Sequence, residues 1–201
     1  KVPSPIVRRR DQDPYTRWCW HNRITPRLRA VLQKDANELI RSGGPLISVL
    51  VPAYNTPEPY LRELLECMQK QLYPRWELCI ADDASSQPHV RRMLEQAAKD
   101  DPRIKPVFRA ENGHISRATN SALDVATGEF VALLDHDDVL PEDSLLHVAQ
   151  AISRHPTAGY LYTDEDKLDD AGRRFDPQFK SSWSPTMALT HNFTHHLTVI
   201  R

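Results

Sequence analysis

The sequence predicts an α/β protein: a mainly parallel, Rossmann-like sheet flanked by helices, preceded by an N-terminal arm and helix. Three observations carry this. Short apolar runs alternate with amphipathic segments of about ten residues, the pattern of parallel strands joined by right-handed helical crossovers. Polar groups gather where three of these runs end, at 52–56 (PAYNT), 82–86 (DDASS) and 135–138 (DHDD). And residues 130–134 (FVALL) are apolar throughout, then meet three carboxylates, Asp135, Asp137 and Asp138. Such a run reads as a strand buried on both faces. Unpaired buried charge is costly, so the acids mark the edge of the sheet where ligands bind in open α/β folds.

The elements follow in order. Residues 1–24 hold Pro3, Pro5 and Pro14 and many charges, and read as an extended or loosely packed arm anchored by Tyr15, Trp18 and Trp20. Thr25-Pro26 pairs an N-cap with proline at the first helical position, and Leu28, Val31, Leu32, Ala36, Leu39 and Ile40 then recur at helical spacing up to Gly43-Gly44. Strands are expected at 46–51, 76–81, 104–108, 130–134 and 160–163, with helices at 59–70, 90–99, 116–126 and 142–154. Beyond 163 the regularity ends. The segment 169–173 (DDAGR) has hairpin-turn chemistry, the rest is loop-rich, and one late strand covers 197–200. The division expected is 1–44 for the arm and helix, and 45–201 for the sheet domain.

Composition excludes several classes. The chain has 201 residues, 26% charged and 40% hydrophobic, which is ordinary for a globular domain. Its formal net charge of −1 offers no field for nucleic acid, and the run Arg8-Arg9-Arg10 reads as a solvated tail. Cys19, Cys67 and Cys79 are too far apart for a metal or disulfide framework, which fits a reducing compartment. No apolar stretch approaches a membrane span, and no signal peptide is visible. The first residue is Lys1 and the last follows a strand-like LTVIR, so a piece of a longer polypeptide with other domains is expected.

In a parallel sheet the three polar groups share one edge. Tyr54 can stack on a base, Asp83 can accept from a ring N–H or a ribose hydroxyl, and the 135–138 acids suit a hard divalent cation held against phosphate oxygens. No glycine-rich phosphate loop is present, so a cation is needed there. Each group also has a structural explanation. Asn55-Thr56-Pro57 makes a turn and cap, and 83–86 makes another. Three acids at 135–138 exceed what a cap requires.

At this point SVLVPAYNTP, ELCIADDAS, ENGHISRATNSAL and ATGEFVALLDHDD, in this order, resemble the family 2 glycosyltransferases of the GT-A fold, over residues 46–201. The stretch YTDEDKLDDAGRRFDPQFKSSWSP with HNF is similar to a bacterial subgroup that builds surface polysaccharides. The resemblance implies inverting transfer of a sugar from a UDP-, GDP- or dTDP-linked donor to a glycan or lipid-linked acceptor, without nucleic acid. A cytoplasmic place, up to the inner face of the membrane, goes with it. It implies that Pro52, Ala53, Tyr54 and Asn55 border the nucleoside, and that Asp83 binds the base with Asp82 beside it. Asp135 and Asp137, flanking His136, form the D-x-D pair. Asp135 would face ribose and sugar, and Asp137 would ligate Mn²⁺ or Mg²⁺ on the diphosphate. Asn112, Gly113, Ser116 and Asn120 match the loop and helix beside the donor. Relatives carry Arg before the helix Asn; here Thr119 stands there, and Arg117 lies three residues before Asn120. The family's general base comes from an acidic motif expected after Arg201, so donor binding with poor transfer is expected of these residues alone.

On the acceptor side, Asp164, Glu165 and Asp166 follow the fifth strand on the same edge, and as readily form a solvated turn. Trp183 stacks on a sugar or anchors a loop. His196 takes the subgroup's His position. His191 and His195 are spaced for a metal on a helix, but Phe193, Thr194, Thr198 and Val199 favour a strand. His114 reads as structural, Cys67 and Cys79 as buried inert thiols, and Ser85 and Ser86 lack a His-acid pair. Two rivals remain. A haloacid-dehalogenase-type phosphotransferase would use Asp135 as nucleophile and Asp137 as acid/base, though that motif normally opens its domain. The other rival is a catalytically silent nucleotide-sugar-binding or assembly module.

Overall fold

The computed structural model describes residues 13–169 and 171–201. Its strands are β1 (Ile47–Ala53), β2 (Trp76–Asp82), β3 (Ile104–Phe108), β4 (Phe130–Leu133), β5 (Tyr160–Tyr162), β6 (Glu165–Leu168), β7 (Arg174–Gln178) and β8 (Thr198–Ile200). Its helices are α1 (Pro14–His21), α2 (Pro26–Arg41), α3 (Glu58–Gln69), α4 (Pro88–Asp100), α5 (His114–Leu123), α6 (Ser144–Arg154) and α7 (Pro185–Thr190). Six strands form one sheet in the order β3-β2-β1-β4-β8-β5, and β6 and β7 form a separate hairpin. β1 pairs parallel with β2 and β4, and β2 with β3, while β8 runs antiparallel to both β4 and β5. The mainly parallel sheet is therefore present, with one reversed strand.

The chain winds outward from β1 through α3, β2 and α4 to β3, then α5 carries it back across the sheet to β4. The reversal between β1 and β4 is the switch point at which such sheets bind ligands. It also divides the helices. Ile47, Val49, Val51, Leu78, Ile80, Phe130 and Ala132 face one core, filled by Leu32, Leu61, Leu64, Met68, Leu94, Leu145 and Ala149 from α2, α3, α4 and α6. On the other face α5 lays Ala118 and Ala122 over Leu50, Cys79 and Ala81. Alternating residues of β1 and β2 thus pack on both faces, which is why these strands are apolar throughout.

Several expectations change. Residues 130–134 are not buried on both faces. Phe130, Ala132 and Leu134 are buried, but Leu133 is 37% exposed, because α5 covers β1 and β2 and leaves the end of β4 open. Part of the expected loose arm is the helix α1, capped where Asp13 accepts from the Thr16 amide at 2.8 Å. Arg8-Arg9-Arg10, expected as a solvated tail, lie outside the described residues. Tyr15 and Trp18 do anchor the arm, but against the hairpin: both rings contact Phe179, at 6.3 and 6.0 Å between centroids. Trp20 is 62% exposed, with Arg23 over its ring. The region read as loop-rich holds β7 and α7. The turn at 169–173 closes as expected, the Gly172 amide donating to the Asp169 carbonyl at 2.7 Å with Gly172 at φ +69°.

Candidate functional site

Three cavities lie in a row along the carboxyl edge of the sheet. The first, of about 490 Å³, sits at the β1/β4 switch point. Pro52, Ala53 and Tyr54 from β1 and its loop, Asp83 after β2, Asn112 and Ile115 at α5, and Asp135, His136 and Asp137 after β4 line it. The second, about 400 Å³, shares Pro52, Ile115 and Asp135 with the first and has Leu50, Leu133 and Leu134 on its apolar side. The third, about 600 Å³, shares Leu134, His195 and His196 with the second and is ringed by Asp138, Asp164, Glu165, Asp166 and Arg174. Asp135 is thus a post between the first two cavities, and His196 between the last two.

Local chemistry fixes these groups. Asp83 is 2% exposed and accepts from Arg109 Nε at 2.7 Å and from the Gly113 amide at 2.9 and 3.0 Å. Arg109 is itself held, donating to Ser121 Oγ at 2.6 Å. A Cβ at Gly113 would lie 2.6 Å from Arg109 Nη2 and 2.9 Å from Arg117 Cβ, so a larger residue there would displace the guanidinium that holds Asp83 or the first turn of α5. Tyr54 is 48% exposed, its ring free to receive a flat partner. The loop after β4 is pinned from behind by Gln71: its Nε2 donates to the Pro141 carbonyl at 2.8 Å, and its Oε1 accepts from the Leu145 amide at 3.1 Å.

Other expected site residues lie outside the first cavity's walls. Asn55, at φ +49°, turns its Oδ1 to the amides of Ser86 and Gln87 and ties the two strand-end loops together. Asp82 accepts from the Ser85 amide at 3.1 Å. Gly113 acts through its amide on Asp83. Ser116 and Asn120 are exposed on α5, whose Ile115, Ala118 and Thr119 face the cavities instead. Arg109 was missed by sequence reasoning, although it follows β3 as Asp83 follows β2. His114 also lines the first cavity.

At the acid cluster the closest donor set contains Asp135 but not Asp137, its expected partner in the D-x-D pair. One ligand atom each from Asp135, Asp138 and His196 falls within 4.8 Å, and a second set joins Glu165, His195 and His196. His196 Nδ1 lies 2.9 Å from Asp138 Oδ2 and 3.8 Å from Asp135 Oδ2. The first separation suits an ion pair but not hydrogen-bond angles, so Asp138 Oδ2 is buried without a hydrogen-bond partner among the described residues. Burial lifts the Asp138 carboxyl above its ordinary range; Asp135, Asp137 and Glu165 push the same way, against the pull of His196. Two carboxylates and an imidazole facing one space, one oxygen unsatisfied, are a donor set that fits a divalent cation. His191 stands on no helix with His195, because the segment between α7 and β8 is irregular.

Asp164, Glu165 and Asp166 reach the third cavity on the hairpin. Asp164 Oδ1 accepts from the Lys180 amide at 2.7 Å, and Asp166 pairs with Arg174 and Tyr15. Trp183 packs beside Tyr160 and Phe193, at 6.1 and 6.0 Å between centroids, and lines none of the three cavities.

An open, mainly parallel sheet with carboxylates and an exposed ring around its switch point defines the open α/β class that binds ligands at the carboxyl edge. Within that class, the model described as "Glycosyl transferase family 2" matches residues 48–198, and the chain belongs to that family. The match displaces the phosphotransferase reading. The O-antigen biosynthesis protein RfbC of Myxococcus xanthus is 36% identical over 93% of this chain and 14% of that protein. Among solved structures, TarS 1-349 of S. aureus in complex with UDP-GlcNAc is 31% identical, with a TM-score of 0.53 over 58% of this chain and 33% of that one. The mannosyltransferase PcManGT from Pyrobaculum calidifontis, in complex with GDP-Man and Mn²⁺, is 25% identical, with a TM-score of 0.55 over 71% and 44%. These likenesses place the fold as GT-A. The chain spans 19%, 14% and 39% of three curated relatives it matches. Among the described residues, no helix is long and apolar enough to cross a membrane.

Proposed function

We propose that this chain forms the donor-binding part of an inverting, metal-dependent glycosyltransferase, moving sugar from a nucleoside diphosphate to a hydroxyl of a polysaccharide or lipid-linked glycan. The observation that carries this is the row of three cavities with Asp135 and His196 as shared posts. The nucleoside occupies the first cavity, where Tyr54 stacks on the base and Asp83, oriented by Arg109 and Gly113, accepts from it. The glycosyl group lies in the second, under Asp135. The acceptor enters the third, between His196 and Asp164–Asp166, where several carboxylates can accept from sugar hydroxyls. Residues 45–201 act as the nucleotide-sugar domain, and 1–44 form a separate arm and helix, of which residues 13–44 pack at its side.

Asp135 and Asp137 would hold Mn²⁺ or Mg²⁺ against the diphosphate, with Asp138 and His196 beyond Asp135. The cation, when bound, supplies Lewis-acid stabilisation of charge on the departing diphosphate. Asp83 and Tyr54 fix the nucleoside end, so that the anomeric carbon is presented toward the third cavity. Complexes of similar proteins with UDP-GlcNAc and with GDP-Man and Mn²⁺ support this donor class.

Calorimetry with UDP and with GDP, with and without Mn²⁺, tests the reading. Binding is expected to require the cation, and Asp137→Ala to abolish that requirement together with at least about tenfold of affinity. If Asp137→Ala binds as the parent does and still requires Mn²⁺, Asp137 is no ligand, and Asp138 with His196 holds the ion. If neither nucleotide binds, the proposal fails.

A further inference from the structure

Lys180 lies between β7 and α7, and its side chain is only 7% exposed. A buried ammonium is costly to desolvate, and an apolar chain of the same length would fill the space without that cost. Its presence therefore needs a reason in what it holds. Lys180 Nζ donates to the carbonyls of two successive residues, His195 and His196, the latter at 3.0 Å. It also stands 3.6 Å from Glu165 Oε2, while its own amide donates to Asp164 Oδ1. One side chain thus ties the hairpin to the segment that carries His196.

That segment needs holding. His196 has φ +29°, a conformation that non-glycine residues rarely adopt and that persists only when its surroundings impose it. Its ring is the post between the second and third cavities and lies against Asp138 and Asp135. A shift of about 1 Å in its carbonyls would move the ring off those carboxylates, a displacement large enough to matter in a preorganised site.

We propose that Lys180 is a positioning residue for the donor site: by gripping the His195 and His196 carbonyls it sets the His196 ring against Asp135 and Asp138. Lys180 itself touches neither donor nor cation. The inference rests on the reading above in which a cation sits at Asp135, and adds that His196, which shares a donor set with Asp135 and Asp138, helps to hold it.

The test is a double-mutant cycle on nucleotide binding. Wild type, Lys180→Met, His196→Ala and the double variant are titrated with UDP and GDP, with and without Mn²⁺, and their thermal midpoints are recorded. His196→Ala is expected to weaken Mn²⁺-dependent binding about tenfold. Lys180→Met should weaken it similarly, the double variant no further than either, and all four should fail alike to bind without Mn²⁺. A folded Lys180→Met with wild-type Mn²⁺-dependent affinity overturns the inference, as do losses that multiply in the double variant. Should Lys180→Met not fold, Lys180→Gln, a shorter side chain with two N–H donors and no charge, takes its place; an intermediate loss with the same non-additivity is expected, and wild-type affinity overturns the inference. If His196→Ala itself binds like wild type, or the wild type binds neither nucleotide, the underlying reading fails and the inference with it.

Discussion

Asp83 and Arg109 meet at 2.7 Å with side chains only 3% and 17% exposed. Replacing Arg109 leaves Asp83 as a buried carboxylate with one amide donor, and unpaired buried charge is strongly destabilising. Arg109→Met is expected to lower unfolding free energy by about 3 kcal/mol in urea, and to weaken nucleotide binding because the Asp83 carboxylate loses its orientation. A loss below about 1 kcal/mol would class the pair with exposed ion pairs and count against its proposed role. At this scale the acids were legible and their partners were not. Asp83 and Asp135 stand where apolar strands stop, a position any reading of a parallel sheet marks. Arg109 obeys the same rule, since Phe108 is in register with Asp82, but a lone arginine after a weak strand carries no pattern. The placement of His196 beside Asp138 depends on the path of residues 191–197, which no local periodicity describes.

Among elements, the N-terminal end of the sheet is held by a buried carboxylate. Glu77, on β2, accepts from Ser48 Oγ at 2.7 Å, from Lys105 Nζ at 2.5 Å, and from the amide and hydroxyl of Thr127 at 2.5 and 2.9 Å. These join β1, β2, β3 and the turn before β4. Burial alone would raise this carboxyl, but the hydrogen bonds from Lys105, Ser48 and Thr127 outweigh it and bring it down to about 2, from an ordinary 4.5. A folded value below the unfolded one means a contribution fully present above pH 4.5 and lost as pH falls toward 2. The difference corresponds to about 3 kcal/mol. Glu77→Gln should therefore be less stable at pH 7 and show a shallower loss of stability across that acid window. Equal slopes for parent and variant in acid unfolding would remove Glu77 from the account. The strands joined here were legible because β1 and β2 are apolar on both faces. β7 was not, since RFDPQ is polar and contains Pro177; nor was α7, six residues long with no buried side chain. α1 did carry a signal, Asp13 before Pro14, masked by the surrounding charges.

The whole molecule is a sheet with a side assembly. α1 and the β6–β7 hairpin pack on each other through Tyr15, Trp18 and Phe179, with Tyr15 also hydrogen-bonded to Asp166. The hairpin meets the main sheet through Lys180, Asp164 and the Thr163–Leu197 bonds. None of these long-range placements follows from periodicity: a late strand can be recognised from LTVI, but its reversed direction between β4 and β5 cannot. A two-stranded hairpin is marginal in water without a covering element, so α1 should supply much of the order in β7. Removing residues 1–22 is then expected to speed amide hydrogen exchange in Arg174–Gln178 by at least about tenfold, equivalent to roughly 1.4 kcal/mol of local stability. The amides of β1, β2 and β4 should stay protected, because their core against α3, α4 and α6 does not involve α1. Contacts to the nucleoside should survive, since the first cavity has no wall from the arm or the hairpin, and any loss of affinity should be confined to the Mn²⁺-dependent part that Lys180 supports through His196. Unchanged exchange in β7 would show the hairpin to be self-supporting, and loss of protection in β1 and β2 would show that the arm belongs to the sheet's own cooperative unit.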